Sequence, residues 1–327
     1  MPIVLTSDEI GLNAAALLLC SGRQVVIPTE TVYGLAANAL DFDAVEEIFA
    51  IKGRPATNPL IVHVHSISQA ESLGDFNKRA TLLADAFWPG PLTIVIEAFD
   101  VIPTNVTAGG TTVGLRMPNH LLTLQLIETC GLPIAAPSAN RSEGISPTTV
   151  DDVIRSLGEE APPILDGGPC TVGIESTVVD VTGDVVRILR PGAITRAQMK
   201  EVLGEPVEQA ADTGIKRSPG QMNRHYAPSR RTILAESASV PESAQGRGAL
   251  ICYTDGMPSD AYVNIFHLPA DPVGYAAGLY ATLNQADQCE VDVIVVEMPP
   301  EGDEWAAIKD RLARASTSPS DETPSAP

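Results

Sequence analysis

Short apolar runs separated by stretches of helical period are the feature that most constrains how this chain can fold. Val25, Val26 and Ile27 form the first run, followed by "LIVHV" (60–64), "LTIVIEA" (92–98), "TTVGLRM" (111–117) and "LPIAA" (132–136). Runs this short, bounded by Gly, Pro and polar residues, read as buried strands, and strands alternating with helices predict an α/β sheet. Between them, Ser7 is expected to cap a helix with Ile10, Leu17 and Leu18 on its inner face and Gly22 at its end. A second helix follows Asp43, buries Val45, Ile48 and Phe49, and stops at Gly53. Others are expected around Leu82, over 121–130, and over 148–157 with Thr148-x-x-Asp151 as a capping box. "ESTVVDVTGDVVRIL" (175–189) reads as a hairpin turning at Gly183 and Asp184, so the sheet is expected to be mixed.

Thr195-x-x-Gln198 opens one more helix, after which 205–230 is polar, contains Gly and Pro, and lacks apolar periodicity. Strands then return at "RTILAES", "GALICY" and "VDVIVVEM", with helical patterns near 275–283 and 304–314. The expected organisation is a large domain over 1–204, a linker over 205–230, a small α/β domain over 231–315, and a disordered tail over 316–327, whose sequence is almost free of apolar residues.

Charge narrows the function. The 327 residues carry a formal net charge of −20, which opposes stable binding to nucleic acid or an anionic membrane. No residue between Gly248 and Glu304 is Lys or Arg, so the small domain has little with which to hold phosphates. Five cysteines stand far apart with no C-x-x-C pair, which fits thiols in a reducing cytoplasm. No leader-like start and no long apolar run is visible, so a cytoplasmic protein is expected. The common phosphate loops, the hydrolase elbow and the zincin motif lack their signatures. His63 and His65 could share a strand face, but without a third donor at ligand spacing no metal site is expected.

The scarce cations are the informative residues. Lys52 and Arg54 in "KGRPATNPL", Arg116, Arg141 and Arg190 each flank an apolar run beside a chain reversal, where positive groups can converge on one anion. Thr29, Thr31 and Tyr33 gather past the end of the first strand, where open α/β sheets bind ligands; capping of the next turn is the plainer role for the two threonines. "APSANRSEGISPTT" (136–149) adds hydroxyls and amides on a backbone of small residues.

Eight blocks in order, "PTETVYGL", "KGRPATNPL", "WPGPLT", "VGLRMP", "APSAN", "ESTVVD", "LRPGAI" and "SPGQMNRHYAP", resemble the threonylcarbamoyl-adenylate synthases in their long, two-domain form. The resemblance implies a YrdC-like twisted mixed sheet with flanking helices, plus a smaller C-terminal Rossmann-like α/β domain. It implies formation of an acyl adenylate from L-threonine, bicarbonate and ATP, with pyrophosphate released and magnesium carried by the phosphates. The product would pass through transient encounters with downstream transfer proteins to the adenosine beside the tRNA anticodon. Lys52, Arg54, Ser138 and Asn140 would be the distinctive catalytic quartet. Thr31, His63, Arg116, Ala136 and Ser176 would line the threonine pocket, Arg116 taking the carboxylate. Arg54, Asn58, Thr112, Ser138, Ser146, Arg190 and Tyr226 would contact ATP, Tyr226 from a linker that closes as a lid. An RNA-binding surface and the carbamoyl-adenylate chemistry of hydrogenase maturation are the alternatives; overall charge opposes the first, and the extra zinc-binding regions of the second are absent from this sequence.

Overall fold

A computed structural model describes residues 2–210, 226–236, 247–255 and 259–316. The chain divides into two compact units. The first holds the described residues of 2–142 and 147–210, and the second holds 143–146 together with the described residues from 226 onward.

In the first unit the order is β1 (Val4–Leu5), α1 (Glu9–Cys20), β2 (Val25–Ile27), β3 (Gly34–Asn38), α2 (Phe42–Lys52), β4 (Ile61–His63), α3 (Ile67–Glu71), α4 (Lys78–Phe87), β5 (Leu92–Glu97), β6 (Thr112–Arg116), α5 (Leu121–Cys130), β7 (Ile134–Ala135), α6 (Val150–Leu157), β8 (Ile164–Leu165), β9 (Thr177–Asp180), β10 (Val186–Arg190), α7 (Arg196–Leu203) and β11 (Val207–Gln209). Eleven strands form one mixed sheet in the order β1-β8-β2-β3-β7-β4-β6-β5-β9-β10-β11. Its centre is closed to water: Val62, Ile94, Leu115, Ala135 and Val179 are fully buried.

Most of the expected elements form, and the departures have physical causes. The α1 helix is capped by Asp8, whose carboxylate accepts from Gly11 N, rather than by Ser7. It buries Gly11, Ala15, Ala16 and Leu19 and leaves Ile10 and Leu17 exposed, reversing the expected face. Small residues win there because the backbone comes close: a Cβ on Gly11 would lie 1.9 Å from the Thr6 carbonyl oxygen. Asp41 caps α2, and Lys52 is its last residue, not part of the loop after Gly53, whose φ of 60° ends the helix. The capping box of α6 sits one residue later than expected, on Thr149 and Asp152, with Thr148 N and Oγ1 also donating to Asp152. The box on Thr195 and Gln198 forms as read, as does the β9–β10 hairpin. "GLAAN" becomes β3, antiparallel to β2 and β7, and Val207–Gln209 pairs in parallel with β10 where the linker was expected to have begun.

The second unit contains β12 (Arg231–Ala235), β13 (Gly248–Cys252), β14 (Asn264–His267), α8 (Pro272–Asp287), β15 (Val293–Glu297) and α9 (Ala306–Ser316). Its four strands are all parallel, in the order β12-β15-β13-β14. The fully buried Glu297 carboxylate ends β15 and accepts from Tyr253 N at 2.9 Å, Thr254 N at 3.1 Å and Thr254 Oγ1 at 2.6 Å, so it ties down the chain leaving β13. The expected tail falls at 317–327, outside the described residues, apart from Ser316, which ends α9. Among the described residues no helix is long and apolar enough to cross a membrane.

Replacing Glu297 with Ala removes the acceptor of two backbone N–H groups and a hydroxyl, all in part-buried bonds. The expected loss is about 3 kcal/mol in the unfolding of this unit. Trp88 and Trp305 are the only tryptophans, so urea titration of a Trp88→Phe background, with Trp305 as reporter, reads that loss directly.

Candidate active site

Strand register assembles the first group of candidates. The strands β4 and β6 run parallel with His63 directly opposite Arg116, and Ile61 opposite Gly114. The period of two then puts Thr112, Gly114 and Arg116 on one face, with Val113 and Leu115 in the core behind. No side chain rises at Gly114, and the Thr93 methyl packs over it: a Cβ there would meet Thr93 Cγ2 at 3.1 Å. The strand β5 runs back beside β6, and β9 lies alongside β5, which brings Thr93 and Ser176 to the Arg116 end. Their hydroxyls meet at 2.8 Å. Arg190, at the end of β10, donates to the Ser176 carbonyl from Nε and Nη2 at 3.1 and 2.9 Å, and to its Oγ at 3.2 Å.

Arg116 is 4% exposed and held on three sides. Its Nη1 donates to Thr31 Oγ1 at 2.9 Å, its Nε donates to the Gly90 carbonyl at 3.3 Å, and its Nη2 lies 2.8 Å from Glu30 Oε2. Gly90 is required for that approach, since a Cβ there would sit 2.3 Å from the Phe87 carbonyl oxygen. The plainer role expected for the threonines holds for Thr29, whose Oγ1 accepts from Val32 N and donates to Val32 O, closing the turn. Thr31 is aimed at Arg116 instead. Burial, and then the Arg116 charge, push the His63 imidazole down to about 3, so it is neutral, and its Nδ1 has no hydrogen-bond partner.

A second group lies toward the opposite strand ends. Thr112 begins β6, and Asn58 stands three residues ahead of the parallel β4. Arg54 Nη2 donates to the Asn58 and Pro59 carbonyls, so the guanidinium shapes the loop that carries Asn58. Ala136 N donates to Ile61 O, and Ser138 bridges to Gly34, which sets "APSAN" against the start of β3. The Lys52 ammonium donates to the carbonyls of Ser138 and Asn140. Lys52 is buried, and its pKa is lowered well below the usual lysine value, by burial first and then by Arg54. Those two bonds brace the Ser138–Asn140 backbone. Arg141 goes elsewhere, to an exposed pair with Glu160.

Ser146 and Tyr226 fall in the second unit. Tyr226 is 1% exposed, stacked on Tyr280 with ring centroids 5.8 Å apart, and Arg311 lies over its ring at 5.3 Å. Most of the expected lid, 211–225, lies outside the described residues. Reading the sequence missed Glu30, Thr93 and the Gly90 carbonyl: each matters through a long-range contact to Arg116 or Ser176, for which local sequence carries no signal.

The comparisons follow this geometry. The family model described as Telomere recombination, for Sua5, YciO and YrdC proteins, matches residues 18–192, and that of the threonylcarbamoyl-AMP synthase C-terminal domain matches 194–317. A Bacillus subtilis protein named threonylcarbamoyl-AMP synthase is 41% identical, over 94% of this chain and 95% of its own. The chain belongs to the threonylcarbamoyl-AMP synthase family. A Schizosaccharomyces pombe protein of the same name is 35% identical, covering 93% of this chain and 88% of its own. The solved structure of Pyrococcus abyssi Sua5 complexed with L-threonine matches with a TM-score of 0.87 at 36% identity, over 97% of both chains. The expected fold class, a large mixed sheet with a second, smaller parallel α/β unit, is therefore borne out.

The neutral His63 has a measurable consequence. Its native pKa of about 3 lies below the unfolded value near 6.5, so between these the unfolded chain binds the extra proton. Its contribution to stability is fully present above pH 6.5 and is lost as pH falls toward 3. His63→Asn should remove up to about 1.4 kcal/mol per pH unit from the slope of unfolding free energy in that window. Urea titrations at several pH values measure it.

Proposed function

We propose that this chain is an L-threonylcarbamoyl-adenylate synthase, converting L-threonine, bicarbonate and ATP to threonylcarbamoyl-AMP and pyrophosphate for the modification of tRNA beside the anticodon. The observation that carries the reading is the family match across nearly the whole chain to relatives named for that product. The buried, partly unpaired groups around Arg116 support it, because a pocket of that kind suits a small polar amino acid.

The chemistry needs no enzyme nucleophile. The amine of threonine adds to bicarbonate, giving a carbamate and water. A carbamate oxygen then attacks the α-phosphorus of ATP, and pyrophosphate leaves. The protein's work is to hold the reactants together and to place positive groups against developing charge. In this reading Arg116 takes the threonine carboxylate, with Thr31, neutral His63, Ala136 and Ser176 around the rest of the amino acid. Arg54, Asn58, Thr112, Ser138 and Arg190 face the nucleotide, and Lys52 keeps the Ser138–Asn140 turn in shape. The roles of Ser146 and Tyr226 toward ATP, and of the segment before Tyr226 as a lid, rest on the family resemblance. Magnesium is assigned to the ATP phosphates, since no group of three or more His, Cys, Asp or Glu side chains among the described residues could hold a metal ion. A cytoplasmic location is supported by five free cysteines. Transfer proteins acting on tRNA are the proposed, transient partners, because the chain's own charge of −20 disfavours stable tRNA binding.

Pyrophosphate release from ATP is expected to require both L-threonine and bicarbonate, and to fall when L-serine or L-valine replaces threonine. Release without any amino acid, or none with threonine, overturns the reading. Arg116→Lys keeps the charge but loses the planar fork. It should raise the KM for threonine by about tenfold or more while moving the KM for ATP by less than about threefold. Equal shifts in both would contradict the carboxylate assignment.

A further inference from the structure

The ion pair behind the candidate pocket is unusual in what it leaves undone. Glu30 and Arg116 are each 4% exposed, and Arg116 Nη2 approaches Glu30 Oε2 to 2.8 Å. Yet neither carboxylate oxygen of Glu30 completes a hydrogen bond, and neither does Arg116 Nη2. A pair kept for structure alone would be expected to fill these sites, because buried charge without hydrogen bonds is costly. Groups left unfilled at the edge of a pocket are positions for a ligand.

The balance of charge says what kind of ligand. Three titratable groups that interact electrostatically with the pair, His63, His120 and Cys170, are neutral near pH 7. Burial and the Arg116 charge hold His63 down to about 3. Burial likewise lowers His120, and it raises the Cys170 thiol to about 12. The pair itself sets one carboxylate against one guanidinium, and the next cation on that side, Arg190, is engaged with Ser176. A simple carboxylate docking on Arg116 would leave two anions on one guanidinium. An amino acid zwitterion brings its own cation and keeps the buried site neutral.

We infer that Glu30 and Arg116 together form a receptor for an amino acid zwitterion, Glu30 receiving the ammonium group while Arg116 receives the carboxylate. The assignment rests on the proposed threonine pocket and adds Glu30 as a residue that selects for the amino group. It gives the site a reason to reject hydroxy acids of the same shape, which a hydroxyl pocket alone would accept. It also leaves the reacting nitrogen at a fixed place beside a carboxylate.

The test compares L-threonine with (R)-3-hydroxybutanoate, which has the same carboxylate, hydroxyl and methyl groups but no amine. Dissociation constants are measured by ligand-observed NMR titration of the full chain, with the folded fraction of each variant checked by circular dichroism, because the apparent constant rises as that fraction falls. The wild-type protein should bind threonine at least about tenfold more tightly than the hydroxy acid, the size expected for hydrogen bonds to a charged group. Glu30→Gln should weaken threonine by about tenfold or more and leave the hydroxy acid unchanged or tighter. Glu30→Asp, which keeps the charge, should fall between the wild type and Glu30→Gln. Equal weakening of both ligands would mean that Glu30 only orients Arg116, and unchanged threonine binding would place Glu30 outside the site; either result overturns the proposal. Wild-type protein that binds threonine but shows no threonine-dependent pyrophosphate release would sink the synthase reading and leave the zwitterion receptor standing. Binding of none of L-threonine, L-serine or L-valine would overturn both.

Discussion

The parallel register of β4 on β6 is the constraint on which the candidate site depends. It sets His63 opposite Arg116 and, on the reverse face, buries Val62 and Leu115 completely. A slip of one residue would turn Arg116 into the core and bring Leu115 to the pocket. The apolar alternation that stabilises the sheet therefore also fixes which side chains share the face with Arg116. Antiparallel β5 and parallel β9 extend the same logic, because their register brings Thr93 and Ser176 within hydrogen-bonding distance at the Arg116 end.

That frame lets two scarce cations serve opposite purposes. Arg116 keeps a buried charge beside a carboxylate and leaves one nitrogen without a completed hydrogen bond. Lys52 is buried as deeply but gives its donors to two backbone carbonyls. Burial and the nearby Arg54 lower its pKa. Sequence spacing places both residues at chain reversals. Only the contacts separate a side chain with a nitrogen left unfilled from one that braces a loop.

Much of the fold was legible because its signals are local. The α5 helix spans 121–130 as its pattern predicts, Thr195 and Gln198 make the expected box, and the hairpin turns where Gly183 and Asp184 say it should. What failed depends on partners distant in sequence. The α1 helix shows Ile10 and Leu17 to solvent because close packing selects Gly11, Ala15 and Ala16 beside Leu19 for the inner face. "GLAAN" lacks the β-branched residues that mark a strand, and it becomes one because β2 and β7 flank it. In β14 the buried and exposed positions alternate weakly over four residues at a sheet edge, too short a pattern to stand out. Site residues carried by punctuated motifs, such as Arg116 and Ser138, were visible. Glu30 was hidden inside the most conspicuous motif of all, since a carboxylate among hydroxyls looks solvated until its neighbour across the sheet is known.

Tyr226 shows how far a motif can be read before packing takes over. "NRHYAP" marks a polar segment, and polarity alone would leave a tyrosine there free in solvent. Instead Tyr226 adopts φ of 61°, a left-handed backbone that costs a bulky residue on the order of 1 kcal/mol. The ring is offset by its stack on Tyr280 and by the Arg311 guanidinium, itself buried and paired with Asp310 at 2.8 Å. Ala227 N donates to the Glu143 carbonyl, which adds the segment from the "APSAN" side to the same small unit. An aromatic contact and a buried cation thus determine where Tyr226 sits within the second unit.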